Sequence, residues 1–208
     1  MKNNLMEWIN KKHLDPREIN LLSKLFLYNK PFEHLLINNF LKKEKAIQLL
    51  KALQKEKFYQ KESDLFKFIQ TDDVTSTKNT TLKNFRNFLC SKQFISYIDA
   101  ISNCRLKTKL DLAGTLYQDA DFLLCHDDRL EGRKLAFILY LSTLNKKEGG
   151  SLNLFHSKNN TPTKISKKII PKLNTFVLFK VSKRSFHEVE EVIVKKQRIA
   201  LGGWLHGD

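Results

Sequence analysis

Along the first hundred residues the apolar positions recur with a helical period. Asp15-Pro16-Arg17-Glu18 offers an N-cap, a proline at the first helical position and an acid three residues after the cap. Ile19, Leu21, Leu22 and Leu25 follow at amphipathic spacing, which predicts a helix ending near Tyr28. Residues 42–57, 82–89 and 94–102 read as further helices, with Phe85, Phe88, Phe94 and Tyr97 filling a core. Residues 34–40 and 64–70 read as short extended segments.

After about residue 108 the period changes to two. Strand-length runs follow one another at 109–118, 121–126, 134–144, 151–155, 164–170, 175–180, 188–194 and 198–206. Turn residues separate several of them, notably Glu148-Gly149-Gly150 and the stretch 171–174. Roughly eight strands with helices segregated to one end predict a mainly β fold with flanking helices. The expected architecture is a double-stranded β-helix, or jelly roll, with the N-terminal helices packed on one sheet. The chain shows no internal repeat and no low-complexity linker. It therefore reads as one domain over 1–208, with helical support in 1–107 and the jelly-roll core in 108–208.

Composition narrows the class. An apolar content of 41%, with seven glycines and four prolines, describes a folded protein rather than a disordered one. No apolar run approaches the ~18–20 residues of a membrane span, and Glu7 interrupts the apolar stretch behind Met1-Lys2-Asn3-Asn4, so no signal-peptide core is expected. Three cysteines without metal-type spacing suggest reduced thiols and a cytoplasmic setting, or a nuclear one in a eukaryote. The net charge of +15 invites a nucleic-acid partner. The basic residues are scattered, however, and lysine, asparagine and isoleucine abound throughout, as an AT-rich genome would produce. Weak RNA association through a basic surface is the most this charge supports.

The candidate chemistry lies in the strand-rich half. His126 and Asp128 form a His-x-Asp pair, and His187 follows at a distance. Two imidazoles and a carboxylate are the minimum ligand set of a non-haem Fe(II) oxygenase. Alternation places Phe122, Leu124 and His126 on one strand face, so an i, i+2 pair directs His126 and Asp128 to one side and Asp127 away. Alternation likewise puts Arg198, Ala200, Gly202 and Trp204 on one face of the last run, with room above the small residues for a ligand. An inward arginine without an anion would be a costly buried charge; a guanidinium near iron can hold the far carboxylate of 2-oxoglutarate through two hydrogen bonds. Tyr140, on the Ala136–Ile138–Tyr140 face, is a core tyrosine or a second donor to that anion. A charged turn at 126–129 and a satisfied loop histidine at 187 are the bland alternatives.

Leu123-Leu124-Cys125-His126-Asp127-Asp128, Leu130-Glu131-Gly132-Arg133, Ala136-Phe137-Ile138-Leu139-Tyr140-Leu141, Gly149-Gly150, Ser185-Phe186-His187-Glu188-Val189 and Gly203-Trp204-Leu205-His206-Gly207 together resemble the ribosomal prolyl-hydroxylase family of 2-oxoglutarate oxygenases. The similarity extends upstream through 32–40, 64–72 and Tyr117. It implies iron ligation by His126, Asp128 and His187, and contacts from Arg198 and Tyr140 to the distal carboxylate of 2-oxoglutarate. It also implies Fe(II), 2-oxoglutarate and O2 as cofactor and co-substrates, with ascorbate keeping the iron reduced. The implied substrate is a prolyl residue of a polypeptide, in that family a small-subunit ribosomal protein. Eukaryotic members carry a second, metal-free jelly-roll domain, so a chain ending at Asp208 matches the catalytic domain alone, and Arg129 departs from the acidic or neutral residue expected there. A 2-oxoglutarate-dependent nucleic-acid demethylase and a non-catalytic ribosome- or RNA-associated module are the rival readings. A zinc hydrolase would leave Arg198 without a purpose.

Overall fold

A computed structural model describes residues 4–207. Met1–Asn3, over which the leader reading began, and Asp208, the last residue of the expected domain, lie outside the described residues. The helices are α1 (Asn4–Trp8), α2 (Pro16–Tyr28), α3 (Lys43–Leu53), α4 (Thr80–Leu89) and α5 (Lys92–Ser102), with a 3-10 turn at Lys11–Leu14. The strands are β1 (His34–Asn38), β2 (Phe58–Ser63), β3 (Phe66–Thr71), β4 (Leu106–Tyr117), β5 (Phe122–His126), β6 (Arg133–Tyr140), β7 (Leu152–Lys158), β8 (Thr161–Ile169), β9 (Thr175–Lys180), β10 (His187–Val189) and β11 (Arg198–Gly207).

Helix starts follow local chemistry. Asp15 accepts from the Arg17 amide at 2.8 Å with Pro16 at the first position of α2. Ser91 caps α5 through the Phe94 amide at 3.2 Å, and Asn103 ends it in the left-handed conformation that suits asparagine. Phe85, Phe88, Phe94 and Tyr97 are all buried, and Trp8 stacks on Phe88 at 5.5 Å. Each such side chain contributes on the order of 1.5–3 kcal/mol by leaving water.

The strands form one curled antiparallel sheet in the order β1-β9-β6-β11-β4-β3-β5-β10-β7-β8, with β2 paired to β3 off that path. The expected mainly β architecture with helices on one sheet face is what the structure has. Alternation sorts the core in two. Leu135, Phe137 and Leu139 of β6, with Ile199, Leu201 and Leu205 of β11, pack toward the helices. Ala136 and Tyr140 of β6, with Val177, Phe179 and Ala200, fill the inside of the curl. Where the two ends of the sheet path meet, Lys167 of β8 donates to His34 Nε2 of β1 at 3.0 Å.

Three expectations need correction. The second helix ends at Leu53 rather than at residue 57, and the following polar run 58–63 is a strand, so residues 64–70 form half of a hairpin. Of the run 188–194 only Glu188 and Val189 are strand, in β10 (His187–Val189); Val192 makes a single bridge to Gly149. α1 and the 3-10 turn carry no periodic signal long enough to predict. The strand before His126 does not alternate strictly: His187 pairs with His126 but Val189 pairs with Leu123, so β5 holds one extra residue against β10. This bulge turns Leu123 and His126 both toward the interior cavity and leaves Leu124 exposed.

Close backbone approach explains one glycine in β11. A Cβ on Gly203 would stand 2.0 Å from the Asp111 carbonyl oxygen of β4. Gly203→Ala is expected to lower stability by ~1–3 kcal/mol, read as an earlier urea midpoint with an unchanged slope; an unshifted midpoint would show that β4 yields freely.

Candidate functional site

β5 and β10 set His126 and His187 directly opposite one another, with ring centroids 4.3 Å apart. Asp128 lies two residues past the end of β5, in an irregular segment. Its Oδ1 is 3.5 Å from His126 Nε2 and its Oδ2 is 3.4 Å from His187 Nε2. One candidate ligand atom from each residue lies within 4.8 Å of the others. Asp127 instead pairs with Arg129 at 3.0 Å, away from this cluster.

The hydrogen bonds on the far side of the rings determine what the cluster accepts. His126 Nδ1 lies 2.8 Å from the Leu124 carbonyl oxygen and His187 Nδ1 lies 2.9 Å from that of Ser185. A carbonyl only accepts, so both Nδ1 atoms carry the proton and both Nε2 lone pairs point at the Asp128 carboxylate. Acceptor then faces acceptor at separations longer than the ~2.7–2.9 Å of a charge-assisted hydrogen bond. A divalent cation satisfies all three groups at once. Without one, an imidazole must take a proton: burial lowers the His126 pKa, and the hydrogen bond and charge of Asp128 more than reverse this and raise it. Burial by itself would raise the Asp128 carboxyl, yet the charge of His187 and hydrogen bonds from both rings hold it far below the usual carboxylate range. The donor set, two neutral imidazoles and one carboxylate on one face, suits Fe(II) with open positions.

Arg198 closes the other end. It is 2% exposed, and its Nε donates to the Gly150 carbonyl at 2.8 Å. Its Nη2 lies 3.4 Å from the Tyr140 hydroxyl. The guanidinium sits between the rings of Tyr117 and Tyr140, 4.9 and 5.0 Å from their centroids. No described carboxylate pairs with it, and leaving a buried cation without an anion costs several kcal/mol. Burial raises both phenol pKa values, so Tyr117 and Tyr140 stay protonated as donors near neutral pH. A cavity of about 480 Å³ joins Arg198 to the His126–Asp128–His187 cluster, walled by Leu123, Leu152, Phe179 and Val189. Its volume fits a small dicarboxylate with one further side chain beside it.

Four of the five residues singled out by sequence, His126, Asp128, His187 and Arg198, line one space; Tyr140 stands behind it against Arg198, and Tyr117 lines it instead. Sequence reasoning assigned Tyr117 no role. It sits opposite Arg198 in the β4–β11 register, and a cross-strand partner cannot be read from spacing within one strand. The same holds for Arg133, whose guanidinium lies 3.4 Å over the Trp204 ring and reaches the Asp128 carbonyl. His206 stands apart: its Nε2 is 3.0 Å from Asp111 Oδ2. His206→Ala is expected to keep the metal content of the parent, measured by elemental analysis after Fe(II) loading. Loss of metal would mean that His206, not His187, is the distal ligand.

The profile of the 2OG-Fe(II) oxygenase superfamily matches residues 112–206. Prolyl 3-hydroxylase OGFOD1 of Xenopus laevis is 39% identical over 181 residues, covering 85% of this chain and 35% of that protein. Prolyl 3-hydroxylase sudestada1 of Drosophila melanogaster is 32% identical over 97% of this chain and 39% of its own length. The chain therefore spans little more than a third of these curated relatives. Among solved structures, a prolyl-4-hydroxylase of Pseudomonas putida superposes with a TM-score of 0.72 at 17% identity, covering 90% of this chain and 99% of that one. A prolyl hydroxylase of Trichoplax adhaerens, solved with a peptide fragment of hypoxia inducible factor, gives 0.73 at 18% identity over 95% and 93%. These two show a shared jelly-roll fold. Residues 112–206 thus form a 2OG-Fe(II) oxygenase domain, and the chain is a homologue of prolyl 3-hydroxylases over most of its length.

Proposed function

We propose that this chain hydroxylates a prolyl residue of a polypeptide, using Fe(II), 2-oxoglutarate and O2. The observation that carries the reading is the pairing of two Nε2 lone pairs with a carboxylate at one end of a cavity and an unneutralised buried arginine at the other. In this reading His126, Asp128 and His187 hold the iron, and Arg198 and Tyr140 bind the distal carboxylate of 2-oxoglutarate. Iron and 2-oxoglutarate, when bound, supply the activation of O2 that places one oxygen atom on a C–H bond.

The protein's own part is positional. The Leu124 and Ser185 carbonyls fix the tautomer and tilt of the two imidazoles. The Gly150 carbonyl and the two tyrosine rings lock the guanidinium, leaving its remaining N–H groups to face the dicarboxylate. The apolar wall keeps bulk water from the reacting centre.

The names of the sequence relatives support proline as the acceptor. The family resemblance supports a small-subunit ribosomal protein as substrate, and the net charge of +15 suits work beside RNA-rich assemblies. Residues 1–208 act as a single catalytic unit in this account, because one core joins the helices to the sheet. No helix among the described residues is long and apolar enough to cross a membrane. Three free cysteines favour a reducing compartment, the cytoplasm or the nucleus.

The test is succinate release from 2-oxoglutarate by purified protein with Fe(II), offered ribosomal proteins or methylated RNA. Stimulation by the proteins supports the reading. Stimulation by the RNA alone replaces it with nucleic-acid demethylation, and no release under any condition leaves a non-catalytic module.

A further inference from the structure

Among the described residues the sheet has three free edges, and two of them are blunted. β8 carries Pro162, Lys164, Lys167 and Lys168, and its pairing with β7 shifts register twice. β1 is five residues long, and it meets β8 through His34 and Lys167. β2 carries Lys61 and Glu62 but lacks the proline, the register shifts and the cross-edge contact of the other two. It pairs with β3 through six consecutive residues without a shift, contains no proline and leaves its outer side unpaired by any described strand.

This open edge borders the cavity. Lys61 of β2 and its partner Phe68, with Gln70 of β3, all line it, so one face of the hairpin roofs the site. Lys61 is therefore directed at the cavity and does not guard the edge. Tyr59 and Leu65, 38% and 63% exposed, offer apolar contact at either end of the strand. The loop Asp64-Leu65 is two residues long, which makes Ser63 and Phe66 the closing hydrogen-bonded pair. Alternation then turns the amides of Glu62 and Gln60 to the free side.

We propose that the polypeptide substrate binds as an added strand along the free edge of β2, with its acceptor proline turned beneath the hairpin into the cavity. The inference rests on the prolyl-hydroxylation reading and names how its substrate is held. Main-chain hydrogen bonds supply the affinity, so recognition tolerates varied flanking side chains. The acceptor proline, which has no amide hydrogen to donate, lies past the end of the added strand, where the substrate chain turns under the hairpin.

Hydrogen exchange provides the direct readout. The protein is loaded with Zn(II) in place of Fe(II), and with 2-oxoglutarate, and is titrated with a synthetic peptide from a small-subunit ribosomal protein that has one central proline. Exchange at the Gln60 and Glu62 amides should slow by at least ~10-fold. In the Fe(II) enzyme, Gln60→Pro removes one outward donor without touching the β2–β3 pairing, and should raise the peptide KM by about 5- to 10-fold with kcat held. Peptide binding with unchanged exchange at both amides overturns the strand-addition proposal alone. If the peptide neither binds nor is hydroxylated, the parent reading fails and this one with it.

Discussion

Replacing Asp128 by alanine is expected to yield a folded protein that neither retains Fe(II) nor releases succinate from 2-oxoglutarate. Asp128 bridges the two imidazoles at 3.4 and 3.5 Å and is the cluster's one anionic group. Its removal leaves two neutral nitrogens to hold a divalent ion. Changes to groups merely outside a metal's ligand set cost about 10–100-fold in affinity or activity, so loss of a ligand should exceed ~100-fold. The fold has less at stake. The side chain lies beyond the end of β5, and it contributes to none of the three apolar clusters. Metal content and thermal unfolding measured on one preparation separate the two effects. Succinate release at the parent rate would sink the ligand assignment.

Arg198→Ala should divide binding differently. The iron cluster is untouched, so metal content should stay near that of the parent. The dicarboxylate loses its charge-assisted partner, worth ~1.5–3 kcal/mol, and its dissociation constant should rise about 10- to 100-fold. A side chain only 2% exposed also leaves a void between Tyr117 and Tyr140. Thermal unfolding is therefore measured first, and binding is titrated well below the midpoint. An unchanged 2-oxoglutarate isotherm would refute the anchoring role.

Much of the site is legible in the sequence because each contributor carries a local signal. His126 and Asp128 are near neighbours along the chain, and Arg198 stands out as a charge beside Ala200 and Gly202 in an apolar strand. The helices are legible from their apolar period, with a cap to mark the start at Asp15; the Ser91 cap goes unread, so α5 starts two residues earlier than expected. What escapes is set by pairing between strands. The bulge in β5 comes from its register with β10, so strict alternation puts Leu124 on the wrong face although it places His126 correctly. Asp128 joins the cluster from the irregular segment beyond the strand rather than by strand parity. Tyr117 and Arg133 gain importance only from what β11 sets beside them. β2 is polar and exposed along most of its length, and its strand character comes from β3 rather than from its own residues.

The most direct measurement is mass spectrometry of small-subunit ribosomal proteins incubated with the purified chain, Fe(II), 2-oxoglutarate and ascorbate in air. One added oxygen atom is expected on a single proline. That addition should disappear when either iron or 2-oxoglutarate is omitted, and when Asp128 is replaced by alanine. Ribosomal proteins of unchanged mass, alongside demethylated bases in the accompanying RNA, would contradict it.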